Sequence, residues 1–273
     1  SNYGSSVGAF DSAVIDAIIT FFMVLFGINF ALFYRVLVGG WRDALRSEEL
    51  HWYLALFAGS TLFVSLMILP QYGTFLNALR YGSFQVATIM STTGYATADF
   101  NLWPQAVKAL IVVLMFIGSP GSTAGGIKVV RVGILCKLGC REVRRTFQPR
   151  KVQVVRFEGK GVEENRLTQV SAFFFVYVLL VLAGMFLVSL EGLYDLETNF
   201  TAVLTCISNV GPGLGHVGPV ENFSGYGPFA KVVLSLLMLA GRLELFPKII
   251  WSAGTSIISL KMARISGRPF HTP

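Results

Sequence analysis

The sequence predicts an all-α integral membrane protein built from repeated units of long helix, short helix, polar loop and long helix. Three observations carry that prediction. The 273 residues hold 53% hydrophobic side chains and only 14% charged ones, with a mean hydropathy of +0.63. A soluble domain carries about 25% charged residues, so the composition excludes a disordered chain and argues against a soluble enzyme. Four apolar stretches reach the ~20 residues a helix needs to cross a bilayer. Two shorter apolar runs, each ending in a Gly-containing polar motif, sit at matching places in two successive segments.

Taken in order, the spanning stretches are residues 13–38, 52–69 (stopped by Pro70), 170–190 and 229–258, the last interrupted by Arg242, Glu244, Pro247 and Lys248. A further stretch, 106–117, breaks at Gly118, Ser119, Pro120 and Gly121 and resumes at Gly126 and Ile127. The short runs are 82–90, ending in Ser91, Thr92, Thr93, Gly94 and Tyr95, and 199–207, ending in Ser208, Asn209, Val210, Gly211 and Pro212. Apolar runs of that length are re-entrant or core segments more often than spans. Residues 52–147 thus make one copy of the pattern and 167–260 the other, and such self-similarity outranks any single motif.

Charge placement orients the chain. Residues 128–166 carry eleven Lys and Arg against Glu142, Glu158, Glu163 and Glu164. The segments 35–46 and 261–268 are basic as well. The short-helix side instead holds Asp99, Glu191, Asp195, Glu197 and Glu221, opposed mainly by Arg80 and Lys231. The positive-inside rule puts the basic segments in the cytoplasm and the polar loops outside. The net charge of +7 is therefore mainly topology, not a nucleic-acid footprint, and the acidic outer side would concentrate cations. Three cysteines are too few for a disulfide framework or a four-cysteine zinc site. Cys136 and Cys140 read as ordinary thiols and Cys206 as packing. His51, His216 and His271 form no catalytic or metal constellation, so no enzyme activity and no covalent cofactor are expected.

A short helix ending in a Gly-containing loop is the arrangement that aims backbone carbonyls at a dehydrated cation, as potassium-channel filters do. Glycine permits the positive φ that such a turn needs. Thr92, Thr93, Gly94 and Tyr95 read as Thr-x-Gly-Tyr. Asn209, Val210, Gly211 and Pro212 keep Val-Gly, followed by Gly213. The alternative is a pair of ordinary turns between helices, which leaves the sub-spanning length of the preceding runs unexplained. These motifs, with residues 118–128 and Gly241, Arg242, Leu243 and Glu244, resemble the C-terminal part of the Trk-type potassium-uptake family, whose superfamily includes the Ktr and HKT transporters.

The resemblance covers essentially the whole chain and implies four helix–pore-helix–filter–helix repeats around one K⁺ channel-like pore. On that pattern residues 1–49 are the end of repeat two and 50–147 are repeat three. Residues 148–166 are a cytoplasmic linker and 167–273 are repeat four, so the chain is expected to be a fragment lacking the N-terminal repeats. The implied activity is K⁺ uptake across the inner membrane, with or without Na⁺ or H⁺ coupling. Its filter would be the carbonyls of Thr92, Thr93, Gly94, Tyr95, Asn209, Val210, Gly211 and Pro212. Pro212 and Asn209 depart from the Tyr and Thr of matched filter strands, which bears on K⁺ over Na⁺ discrimination. The resemblance also implies a homodimer docked on a cytosolic ring of nucleotide-binding regulatory subunits. Residues 128–166 are the natural contact for that ring or for anionic lipid.

Two further features await the structure. Gly118, Ser119, Pro120, Gly121, Ser122, Thr123, Ala124, Gly125 and Gly126 cannot stay helical, because Pro lacks an amide donor and Gly lowers helix propensity by about 1 kcal/mol relative to Ala. A nucleotide-binding loop is excluded, since Ile127 stands where that motif requires Lys. The segment is either a passive kink or, as the resemblance implies, a movable gate below the filter. Arg242, a charge amid apolar residues, must face the bundle interior or a water-filled path. A salt bridge to another helix is one reading; the resemblance implies a pore-facing cation that repels K⁺ at rest. A secondary transporter for a small organic solute, using a broken-helix site, is the competing function, but it has no need of two half-length helices ending in these loops.

Overall fold

The computed structural model describes residues 6–118, 126–148 and 153–243. After a 3₁₀ turn at Ser6–Phe10 come α1 (Ala13–Phe26), α2 (Phe30–Leu37), α3 (Trp41–Leu45), α4 (Glu48–Tyr72) and α5 (Phe75–Met90). Next are α6 (Gln105–Phe116), two-residue strands β1 (Ile117–Gly118) and β2 (Ile127–Lys128), and α7 (Val129–Phe147). A hairpin of β3 (Arg156–Phe157) and β4 (Lys160–Gly161) leads into α8 (Glu164–Ser189), α9 (Leu196–Ser208) and α10 (Pro228–Leu243). The architecture is all-α with long apolar helices, as the composition predicts. Helices α4 and α8 are each long and apolar enough to cross a bilayer.

Helices α5 and α9 form the interior. Phe84 to Met90 of α5 and Thr198 to Ser208 of α9 are almost continuously buried. At 1.5 Å per residue they are about 24 and 20 Å long, short of the ~30 Å hydrocarbon core. Around them α8 presents Phe174, Phe175, Leu179, Leu182 and Phe186 outward. An apolar band of that extent suits lipid and not water.

Two helices differ from their expected form. Residues 13–38 are not one straight helix: α1 and α2 meet at 86°. Asn29 caps α2 by accepting from Ala31 N (3.0 Å), and Tyr53 of α4 donates its hydroxyl to Val24 O in the last turn of α1 (3.2 Å). A Cβ on Gly27 would overlap that hydroxyl, so the bend is built around a side chain from another helix. Pro70, expected to stop α4, lies inside it. Proline forfeits a single amide bond in the last turn, while fully buried Ile68 keeps the turn seated in the core. Gly73, at φ 71°, ends the helix instead.

Residues 153–166 hold a hairpin that the sequence did not announce. Between β3 and β4 the chain turns at Glu158 and Gly159, both at positive φ. The Glu158 carboxylate accepts from Ser47 Oγ (2.7 Å) and Glu49 N (3.1 Å), so it caps the start of α4. Glu48 in turn accepts from Glu158 N (3.0 Å) and pairs with Lys137 of α7. The hairpin thereby ties α4 to α7. Its hydrogen bonds to Glu164 raise Arg141 further above the usual guanidinium range, so that cation is permanent. Arg144, Arg145, Arg156, Lys160 and Arg166 remain exposed on this end.

Candidate ion-conducting site

The two short helices end alike. At the end of α5, Thr92 N donates to Ile89 O (3.1 Å) and Thr93 N to Thr88 O (2.9 Å). At the end of α9, Asn209 N donates to Cys206 O (3.1 Å) and Val210 N to Thr205 O (3.0 Å). Thr92 and Asn209 occupy the same left-handed region, at φ 54° and 56°. Asn tolerates that region well and Thr, being β-branched, poorly, so surrounding structure holds Thr92 there. Gly94 and Gly211 follow, at φ 79° and 114°. Thr93 and Tyr95 are exposed, and Val210 is buried.

The loops lie side by side. A Cβ on Gly94 would overlap the Val210 carbonyl oxygen and lie 3.5 Å from Pro212 Cδ; one on Gly211 would lie 3.8 Å from Gly94 Cα. Eight residues expected to act together are thus two adjacent four-residue turns, joined at Gly94 and Val210.

Threonines on one face of α9 set the shape of the second loop, a signal the sequence reading missed. Thr205 Oγ1 accepts from Gly211 N (2.9 Å) and donates to Pro212 O (3.1 Å). Thr201 Oγ1 accepts from Leu214 N (3.0 Å), and Thr198 Oγ1 from His216 N (3.4 Å). Positions 198, 201 and 205 follow the i, i+3, i+7 spacing of a single helix face, and the returning chain runs back along it. Thr205→Val removes the hydroxyl while keeping the volume. It is expected to lower stability by about 2 kcal/mol, the cost of leaving buried groups unpaired, whereas Thr205→Ser stays near wild type. The thermal midpoint of the detergent-purified complete protein checks this; equal midpoints for Val and Ser would discount the hydroxyl.

Below the loops three elements converge. β1 and β2 pair in parallel, Ile117 with Ile127 and Gly118 with Lys128, so the chain leaves and re-enters at one place. Residues Ser119, Pro120, Gly121, Ser122, Thr123, Ala124 and Gly125 of the expected gate lie outside the described residues; Gly118 and Gly126 frame them. Gly126 sits under the end of α9, where a Cβ would be 3.5 Å from Ser208 Oγ. That hydroxyl also bonds Tyr177 OH of α8 (2.7 Å). From α10, Met238 O accepts from Asn209 Nδ2 (3.2 Å), and a Cβ on Gly241 would overlap the Ile207 carbonyl oxygen. Arg242 is the next residue and is exposed. Glu244 and Lys248 lie outside the described residues.

Several charges hold the scaffold. Glu191 accepts from Gly227 N (2.9 Å) and Ala230 N (2.8 Å) at the start of α10, where a carboxylate also suits the helix dipole. Arg80 binds nearly buried Asp16 of α1 at 2.7 Å. Burial pushes the Tyr226 hydroxyl well above its usual range, and it donates to Asn199 Oδ1 (3.0 Å) as a neutral phenol. Among the described residues no group of three or more His, Cys, Asp or Glu is placed to hold a metal ion.

Residues 1–256 match the model of the TrkH family, described as cation transport protein. The chain is 34% identical over 254 residues to the Trk system potassium uptake protein TrkH of Salmonella typhimurium, covering 90% of this chain and 51% of that one. It is 30% identical over 262 residues to the Trk system potassium uptake protein TrkG of Escherichia coli, covering 93% and 52%. The crystal structure of the potassium transporter TrkH from Vibrio parahaemolyticus superposes with a TM-score of 0.81 at 30% identity, over 90% of this chain and 53% of that one. The chain spans about half the length of the curated relatives it matches. With two buried half-length helices ending in adjacent glycine turns, and a family match along nearly its whole length, this chain belongs to the TrkH family of cation transport proteins.

Proposed function

We propose that this chain supplies two of the filter loops, and the gate beneath them, of a protein that takes up K⁺ across the cell membrane. The observation that carries the reading is the pairing of the loops after α5 and α9, with left-handed Thr92 and Asn209 and with Gly94 against the Val210 carbonyl. Backbone carbonyls can replace the hydration shell of K⁺ when fixed around a common axis. Thr92, Thr93, Gly94, Tyr95, Asn209, Val210, Gly211 and Pro212 would provide them. The Pro212 oxygen already accepts from Thr205, which makes it a weaker ion ligand than its neighbours. Two loops enclose only part of an ion, so conduction belongs to the complete protein.

Residues 118–126 and Arg242 form the proposed gate. The loop ends sit beneath α9, and Arg242 follows the Gly241 contact on the same helix end. A guanidinium there raises the energy of a cation leaving the filter. The basic face of α7 and the hairpin is the proposed cytoplasmic side. It would meet a cytosolic nucleotide-binding ring on which a homodimer docks.

The test is Rb⁺ uptake by the complete protein in a cell deficient in K⁺ transport. Saturable uptake supports the reading, and its absence sinks it. Arg242→Ala is expected to raise that uptake severalfold at equal surface abundance, since it removes a repulsive charge. Unchanged or lower flux would remove Arg242 from the gate.

A further inference from the structure

Two side chains outside the filter turns each grip both polar atoms of one peptide residue in the next loop. Ser6 Oγ accepts from Ala96 N (2.8 Å) and donates to Ala96 O (3.0 Å). Gly8 N adds a third bond to that carbonyl (3.1 Å). Ala96 is two residues beyond Gly94. Farther along, Asn101 Oδ1 accepts from Gly215 N (3.0 Å) while Asn101 Nδ2 donates to Gly215 O (3.1 Å). A hydroxyl and a carboxamide are among the few side-chain groups that both donate and accept, which is what a two-bond bracket on a peptide requires.

Each bracket joins segments that are already anchored to their own helices. Asn101 sits in an Asx turn, its N donating to Asp99 Oδ1 (2.9 Å), beside fully buried Phe100. Gln85 of α5 donates to Ala98 O (3.0 Å). On the far side Gly215 lies between Leu214 and His216, both bonded to threonines of α9. Ser6 is held at φ 35°, a costly backbone state that persists only where surrounding contacts enforce it. The bonds therefore run between two fixed bodies, α5 with its loop and α9 with its loop, and between α5's loop and the segment before α1.

We propose that Ser6 and Asn101 are positioning residues for ion selectivity. They act through the loops: Asn101 sets the lateral spacing of the two filter turns, and Ser6 fixes the α5 loop against the segment before α1. The proposal rests on the filter reading above. Carbonyl selection depends on the size of the cage and the number of oxygens around the ion, so loops free to separate accept Na⁺ more readily. Neither side chain touches the ion itself.

The test measures K⁺ and Na⁺ uptake by the complete protein reconstituted in liposomes. In Asn101→Ala and in Ser6→Ala the ratio of K⁺ to Na⁺ uptake is expected to fall at least about fivefold, the order set by losing two hydrogen bonds. Asn101→Asp keeps the shape and one acceptor but loses the donor to Gly215 O, and it is expected to lower the ratio too. It also supplies the answer if Asn101→Ala is not recovered folded. A merely structural role would lower protein yield and leave the ratio at wild type; that result overturns the proposal. Gly94→Ala separates the two levels. If it abolishes uptake while the Ser6 and Asn101 variants keep the wild-type ratio, the brackets alone are refuted. If Gly94→Ala also leaves uptake and ratio intact, the filter reading fails with them.

Discussion

Gly94→Ala in the complete protein is expected to reduce Rb⁺ uptake at least tenfold while the protein still reaches the membrane. Two costs fall on one methyl group. At φ 79° an L-residue loses about 1–2 kcal/mol relative to glycine. The added Cβ also overlaps the Val210 carbonyl oxygen, a backbone atom with no side-chain rotamer to relieve the clash. Relief must come from separating the loops or turning that carbonyl, and either change removes an oxygen from the proposed cage. If carbonyls carry selectivity, losing one fixed ligand affects an ion stabilised by several kcal/mol of such contacts. Uptake and surface abundance measured together decide it: wild-type uptake at equal abundance would show that Gly94 is only a turn residue.

The second large effect falls on Gly241→Ala. Here the Cβ overlaps the Ile207 carbonyl oxygen, and it lies 2.7 Å from that carbonyl's carbon and 3.0 Å from Asn209 Nδ2. Helix α10 would have to back away from the end of α9, losing the Asn209 bond to Met238 O as it goes. Overpacking of this kind costs about 1–3 kcal/mol, and the lost hydrogen bond adds about 1 kcal/mol. The thermal midpoint of the detergent-purified protein is expected to drop by several degrees. Gly59→Ala on α4 is the control, since nothing lies within 4 Å of a Cβ there. It is expected to be neutral or stabilising by up to about 1 kcal/mol, the helix-propensity gain. Equal midpoints for both variants would discount the close approach of α10 to the end of α9.

Both predictions concern contacts whose partners are remote in sequence, and the sequence carried only half of each. Thr92, Thr93, Gly94 and Tyr95 stand out as a motif because glycine spacing and a short apolar run are local patterns. That Gly94 meets Val210 is not local. The same division separates the helices. Stretch 170–190 matches the C-terminal part of α8 to within one residue and stretch 106–117 matches α6, since hydropathy along one helix is enough to mark an apolar helix. The bend within stretch 13–38 was not legible, because it is built around Tyr53, a side chain of α4. The charges of Arg80 and Glu191 read as features of an outer vestibule, yet Asp16 and the amides of α10 engage them. The linker hairpin had only Glu158 and Gly159 to announce it, a weak turn signal in a basic stretch.

By itself, the sequence determined an all-α membrane architecture, a repeated short-helix motif, a glycine-rich break at residues 118–126 and a family. Each of these is written in local composition, periodicity or motif spacing, which survive without knowledge of the partner. Only the tertiary structure decided how the two glycine turns meet, what bends α1 from α2, and which hydroxyls and amides brace the loops. Those outcomes depend on backbone atoms, and a carbonyl or an amide looks the same in every residue until the fold brings its partner within 3 Å.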